Sequence, residues 1–263
     1  MNNFTVSKQF NSLAEMVNHC QEKGGTLYGY IQDQSFTLTR NMEAADKLCE
    51  SGWPEGAEKL QRGVHAAINC SASTTVTDTV YDVVGPIPDM GAFCSGDPEC
   101  MINPSEPMEI PVVRVIVDSN MIADVTHTQS INRGAAILAA CKRIEDSGQR
   151  VEIIATCTAL VNGGVGTYGV VVKKATDHFN LHSLAYCLIH PSYYRRHGFR
   201  IWGKEGACSS SSRRSDSNGA LEYYGQYDLY FPCINEVSNY HHHFATIESA
   251  VHYVNEIVDK MNA

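Results

Sequence analysis

The order of hydrophobic patterns between Val112 and Met261 constrains this chain more than any other feature. Val112–Asp118 reads VVRVIVD, with five branched aliphatic residues in seven, as a strand covered on both faces should. From Ser130 to Ser147, the residues Ile131, Gly134, Ile137, Leu138, Cys141 and Ile144 fall on one helical face, and Gly148 supplies the stop. VEIIATC and YGVVVKKA are the next two strands, LHSLAYCLIH is a helix, and Pro191 opens a further short helical turn. YDLYFPCI is a fourth strand. Ile247, Ala250, Val251, Val254, Val258 and Met261 form the stripe of a last helix starting at Thr246. The order is therefore β-α-β-β-α-β-α. A short glycine-rich stretch joins strands two and three, which predicts an antiparallel hairpin. The other connections carry helices, which predicts parallel neighbours and right-handed crossovers. The expected fold class is α/β: a mostly parallel sheet with one antiparallel edge strand, flanked by helices.

The N-terminal part reads differently. Asn11 to Lys23 suits a helix ended by Gly24-Gly25. NMEAADKLCESGWPEGAEKLQRGVHAAI reads as two helices broken at Gly52-Trp53-Pro54, with Pro54 in the first turn of the second. TTVTDTVYDVV is rich in β-branched residues and reads as a strand. The stretch GPIPDMGAFCSGDPECMINPSEP holds five of the nine prolines and no period, so it reads as a long loop or linker of the kind that often carries function. The division this predicts is a helical and β extension over residues 1–110 and an α/β body over 111–263.

Composition narrows the function. The net charge of −9 argues against general nucleic-acid binding, but the charge is polarised. From Asn69 to Asp124 there are nine acids and one base, Arg114. From His178 to Lys204 there is no acid, but there are Arg195, Arg196, Arg200 and Lys204. No apolar run approaches the roughly 18 residues that span a bilayer. MNNFTVSKQF lacks the basic and apolar regions of a secretory signal, so a soluble, intracellular protein is expected. The ten cysteines are scattered with no Cys-x-x-Cys, which reads as reduced structural cysteine rather than disulfide or zinc.

Asp118, at the end of the first body strand, stands where α/β proteins often place chemistry. The strand order resembles the von Willebrand A-type fold. Members of that family often bind a divalent cation through Asp-x-Ser-x-Ser after the first strand, a later Thr and an Asp after the fourth strand. The corresponding positions here are Asp118, Asn120 and Ile122. Asp177 follows strand three and Glu236 follows strand four. Asp118, Asn120, Asp177 and Glu236 are thus candidate ligands, but Ile122 stands where the motif needs a hydroxyl. The expectation is no bound metal or other cofactor, with Asp118 capping nearby backbone amides. GVGTYG, Gly164 to Gly169, matches Gly-x-Gly-x-x-Gly, yet strand-like VVVKKA follows it, so it reads as a hairpin turn rather than a dinucleotide site. His241–His243 read as loop histidines, and CSSSSRRSDSNG as a polar low-complexity loop.

The candidate binding segment is PSYYRRHGFRIWGK. Tyr193, Tyr194 and Trp202 interleave with Arg195, Arg196, Arg200 and Lys204, and Arg213 and Arg214 extend the set. Single-stranded nucleic-acid sites combine cations that track phosphates with rings that stack on bases. The bland alternative is that the rings are core and the arginines border it.

The segments NMEAADKLCESGWPEGAEKL, GDPECM, RGAAILAACKRIEDSGQRVEII and LAYCLIHPSYYRRHGF together resemble a family of small phage-encoded proteins found in schitovirus-type phages. The resemblance implies a non-catalytic cofactor, in the cytoplasm of the infected host cell, that binds single-stranded DNA and recruits a phage RNA polymerase to promoters. Two rivals stand beside it. One is a von Willebrand A-like protein-interaction module, with or without a divalent ion. The other is a hydrolase or nuclease built on Asp118, Asp177 and Glu236.

Overall fold

The computed structural model describes residues 6–22, 34–70, 81–84, 87–102, 110–121, 124–161, 164–204, 210–211, 227–234, 237 and 239–261. The centre is a mixed sheet. β5 (Val112–Asp118) lies between β6 (Arg150–Val161) and β9 (Leu229–Phe231) and is parallel to both. β7 (Gly164–Lys173) runs antiparallel to β6, as the short connection requires. β1 (Val6–Phe10) then adds to β7 in parallel, and β8 (Ser210–Ser211) pairs with the far end of β6. The α/β class with helices flanking a mostly parallel sheet is therefore the observed one. The Gly164–Gly169 stretch corrects the hairpin-turn expectation: it lies within β7. No helix begins there, so the geometry a pyrophosphate needs is missing.

The helices follow their sequence signals closely. α1 (Leu13–Gln21) is capped by Ser12, whose hydroxyl accepts the Glu15 amide. α3 (Met42–Ser51) and α4 (Pro54–Cys70) meet at Gly52, which has φ of +80°. A Cβ there would also sit 2.3 Å from the Cβ of His182, so glycine is required twice over. α6 (His127–Asp146) starts three residues before the expected Ser130, because Thr126 and Gln129 form a capping box. α7 (Leu181–Ile189) and α10 (Ile247–Met261) match their stripes. The connections also carry α2 (Gln34–Thr37), α8 (Phe199–Lys204) and α9 (Tyr240–His243). Gly134 brings α6 against α7 and α4: a Cβ there would stand 2.7 Å from Ile189 and 3.4 Å from Leu60. Among the described residues, no helix is long and apolar enough to cross a membrane.

One hydrophobic cluster joins Phe10, Met16, Leu60 and Val64 to Val115, Val117, Ile153, Ala155, Leu138 and Ile189. This cluster takes residues from both sides of the expected 110/111 boundary. β1 had no sequence signal of its own, since its five residues are too few and too polar to stand out. The expected 74–84 strand lies mostly outside the described residues, with only Tyr81–Asp82 seen as β2. The long loop is not structureless. It contains β3 (Ile87–Pro88), α5 (Met90–Cys94) and β4 (Met101–Ile102), and β2, β4 and β3 form a small antiparallel sheet.

Candidate functional site

The carboxyl end of β5 is the topological switch point of the sheet, since the chain leaves towards β6 on one side and returns as β9 on the other. Such crevices hold ligands in open α/β folds. Here Arg133 of α6 fills it. Its Nη2 donates to the carbonyls of Asp118 at 3.0 Å, Phe231 at 3.3 Å and Pro232 at 2.6 Å. Burial pulls the guanidinium pKa below its ordinary value. The carboxylate of Asp118 is itself buried, and its Oδ1 accepts the Asn120 amide at 2.9 Å, the loop-capping role. The Asn120 side chain donates to the Thr158 carbonyl. Among the described residues, Ser119 Oγ and Asn120 Oδ1 are buried with no hydrogen-bond partner.

Of the candidate ligands of a von Willebrand A-type cation, Asp177 is not brought to Asp118 and Asn120. Asp118 pairs with Thr156, and Thr156 with Gly169. β7 then runs antiparallel, away from that end, to Lys173 opposite Ile153. Asp177 follows it and is exposed at the opposite end of the sheet. Glu236 and Ile122 lie outside the described residues. Among the described residues, no group of three His, Cys, Asp or Glu could hold a metal ion. One carboxylate beside a buried guanidinium does not fit a hard divalent cation, which wants several anionic or carbonyl oxygens.

The basic and aromatic segment is inside the molecule. Tyr193–Gly198 forms a π-helical turn that continues into α8. Trp202 and Arg196 are each 1 % exposed, and Tyr193, Tyr194 and Arg195 are also buried. The rings pack on one another, with Tyr194–Phe199 centroids 5.4 Å apart and Tyr168–Trp202 centroids 5.8 Å apart. The cations serve the backbone. Arg196 donates to both the hydroxyl and the carbonyl of Thr39, and to Thr37 Oγ1 at 2.8 Å. Arg195 donates to the Phe36 carbonyl at 2.6 Å and the Met121 carbonyl at 3.4 Å, with its guanidinium 4.1 Å from the Phe36 ring centroid. Arg200 reaches the Cys20 carbonyl at 2.9 Å and the Glu22 carbonyl at 3.3 Å. Lys204 reaches the His19 carbonyl and, at 3.0 Å, the Glu22 carboxylate. Those carbonyls are the orphaned acceptors at the end of α1, where a cation also meets the favourable end of the helix dipole.

Burial of Tyr193, Tyr194, Arg195, Arg196 and Trp202 runs against the stacking-and-phosphate expectation for those five, since a bound strand would have to displace buried hydrogen bonds to reach them. Arg200 and Lys204 are half-buried and are engaged at the end of α1. Arg213 and Arg214 lie outside the described residues. One arrangement had no sequence signal: Tyr186 OH lies 2.9 Å from His197 Nδ1, and His197 Nε2 lies 2.9 Å from Asp46 Oδ1. Tyr186 and His197 are fully buried, and burial holds the Tyr186 hydroxyl well above its usual pKa. This chain of bonds ties α3 to the π-helical turn.

The exposed functional candidates lie elsewhere, in the former loop. α5 buries none of its five residues. Val84 is 75 % exposed, Met90 61 % and Phe93 60 %. The turn is held by its own bonds. Asp89 caps it by accepting the amides of Gly91 at 2.8 Å and Ala92 at 3.2 Å. Ser95 Oγ donates to the Gly91 carbonyl at 2.8 Å, and Gly96, with φ of +76°, closes the end. Residues 81–102 carry Asp82, Asp89, Asp97 and Glu99 and no Lys, Arg or His.

A family model described as "Domain of unknown function (DUF7192)" matches residues 2–257. The chain belongs to this family. The match runs across both the acidic segment and the body, so both are parts of the family's common unit. No curated protein and no solved structure matches the chain.

Proposed function

We propose that this protein is a non-catalytic docking module, a rigid α/β body that presents the acidic segment 81–102 to another protein. One observation carries this reading: large apolar side chains at Met90 and Phe93 are exposed on a turn whose own hydrogen bonds fix it in place. Scattered exposed apolar residues are ordinary, whereas two large ones held on one side of a capped turn form a ready contact surface. The opposite feature supports the same reading. The switch-point crevice, where an α/β enzyme keeps its chemistry, is closed by Arg133 and by a buried loop. Recruitment of a phage RNA polymerase, which the resemblance implies, would then run through this acidic face.

The test compares wild type with a Met90→Ser/Phe93→Ser variant as bait in nuclease-treated lysate of phage-infected cells. The expected result is stoichiometric capture of the phage RNA polymerase by wild type and its loss with the variant. A gel shift on a single-stranded oligonucleotide is the counter-test. Salt-sensitive binding that disappears in an Arg200→Ala/Lys204→Ala variant would restore the nucleic-acid reading and overturn this one.

A further inference from the structure

We infer that the occupant of the 81–102 face is a basic-rimmed apolar patch on a different protein, an inference that rests on the docking reading above. The apolar part is given by Met90 and Phe93, both exposed on α5. Met90 and Phe93 stand three residues apart on one side of α5, a pairing that presents an adaptable thioether beside a rigid ring. The charged part is given by Asp97 and Glu99, both exposed. Asp97 accepts the Glu99 amide at 3.0 Å, so the two acids are held next to each other at the end of the turn. Between Asn69 and Asp124 the single base, Arg114, lies 2.9 Å from Glu152 on the neighbouring strand. The negative charge of the segment is therefore not neutralised from within its own stretch of chain.

This charge selects among the occupants an apolar face can take. A second copy would bring the same acids together across a two-fold interface, and like charges facing each other disfavour it. Nucleic acid and anionic lipid are repelled for the same reason. A lysine- or arginine-bordered apolar patch gains in both respects: the rings and aliphatic groups leave water, and the acids meet opposite charge at the rim. Because the turn is already held by Asp89, Ser95 and Gly96, little ordering is needed on binding.

The experiment uses the full chain and three labelled amphipathic helical peptides that share a leucine face and carry lysine, glutamine or glutamate on the other side. Binding is read by fluorescence anisotropy. The lysine peptide is expected to bind best and to weaken at least about fivefold between about 50 and about 300 mM salt. Asp97→Asn/Glu99→Gln should cost a similar factor, and Met90→Ser/Phe93→Ser at least about tenfold. Glu43→Gln/Glu50→Gln, on the exposed side of α3, should change nothing; a loss equal to that of Asp97→Asn/Glu99→Gln would reduce the effect to overall charge and overturn the inference. Equal binding of all three peptides, still abolished by Met90→Ser/Phe93→Ser, would overturn the basic partner but leave the docking reading standing. Wild-type binding by Met90→Ser/Phe93→Ser would remove the docking reading itself. A dimer in sedimentation that this variant abolishes would make a second copy the occupant and overturn the inference.

Discussion

The 191–204 and 81–102 segments are opposites in both composition and position. The first is basic and aromatic and is buried; the second is acidic, with an apolar tip, and is exposed. Composition alone puts the binding role on the first, because interleaved cations and rings are expected at the surface, and reads the second as a long loop or linker without structure of its own. The difference is explained by what each segment's neighbours lack. The end of α1 and the turn at 36–39 present carbonyl acceptors to the buried segment, and a guanidinium with five N–H donors can meet several at once. The ends of residues 89–96 are met by Asp89, Ser95 and the Cys100 carbonyl, and Met90 and Phe93 stay exposed.

The largest effect that would break the comparison is at Arg196. Arg196→Met should destabilise the protein by about 3 kcal/mol in urea unfolding, since the buried hydrogen bonds from the guanidinium to Thr37 and Thr39 would all be lost. A cost under about 1 kcal/mol would mean that the guanidinium is available to solvent and to ligands.

The next effect is a pH dependence at the start of the buried segment. Burial lowers the His190 imidazole from 6.5 to about 3, and Nδ1 accepts the Ser192 amide at 3.1 Å, which requires the unprotonated nitrogen. Below pH 6.5 the unfolded chain takes up a proton that the folded chain refuses. Stability should therefore be full above 6.5 and fall towards pH 3 by up to about 1.4 kcal/mol per unit. His190→Asn should flatten that slope in melts taken between pH 7 and 5; an unchanged slope would assign it to other groups.

A smaller effect sharpens the role of α8. Arg200→Gln and Lys204→Gln should each cost about 1 kcal/mol and speed amide exchange in α1 specifically, because they remove its terminal caps. Uniform exchange changes across the chain would argue against capping. The smallest effect belongs to the exposed segment: Met90→Ser/Phe93→Ser should move unfolding by less than about 0.5 kcal/mol. A larger loss would show that the tip is part of the core.

The body of the fold was legible because long elements announce themselves by period. The stripe from Ile247 to Met261 and the branched run from Val112 to Asp118 are each unambiguous. β1, β3 and β4 are too short for any period and are set by their partners instead. At the candidate site, the sequence shows the charge polarity but not which charges are buried, since that depends on contacts such as Arg196 to Thr39 across most of the chain. Asp118 illustrates the same limit. Its position at a strand end is readable, whereas Arg133 closing the crevice beside it follows only from how α6 lies on the sheet.

The pairing of β1 with β7 also bears on how the chain is made. Val6 meets Gly166, and the helix that follows β1 is capped from Arg200 and Lys204. During synthesis, the first strand and helix must wait for most of the chain to emerge before their partners exist. Contacts of such long sequence separation form late and slowly. Until then, the pairing edge of β1 and the apolar side of α1 are open to any neighbouring chain, so crowding on the ribosome exposes this part of the fold to mispairing.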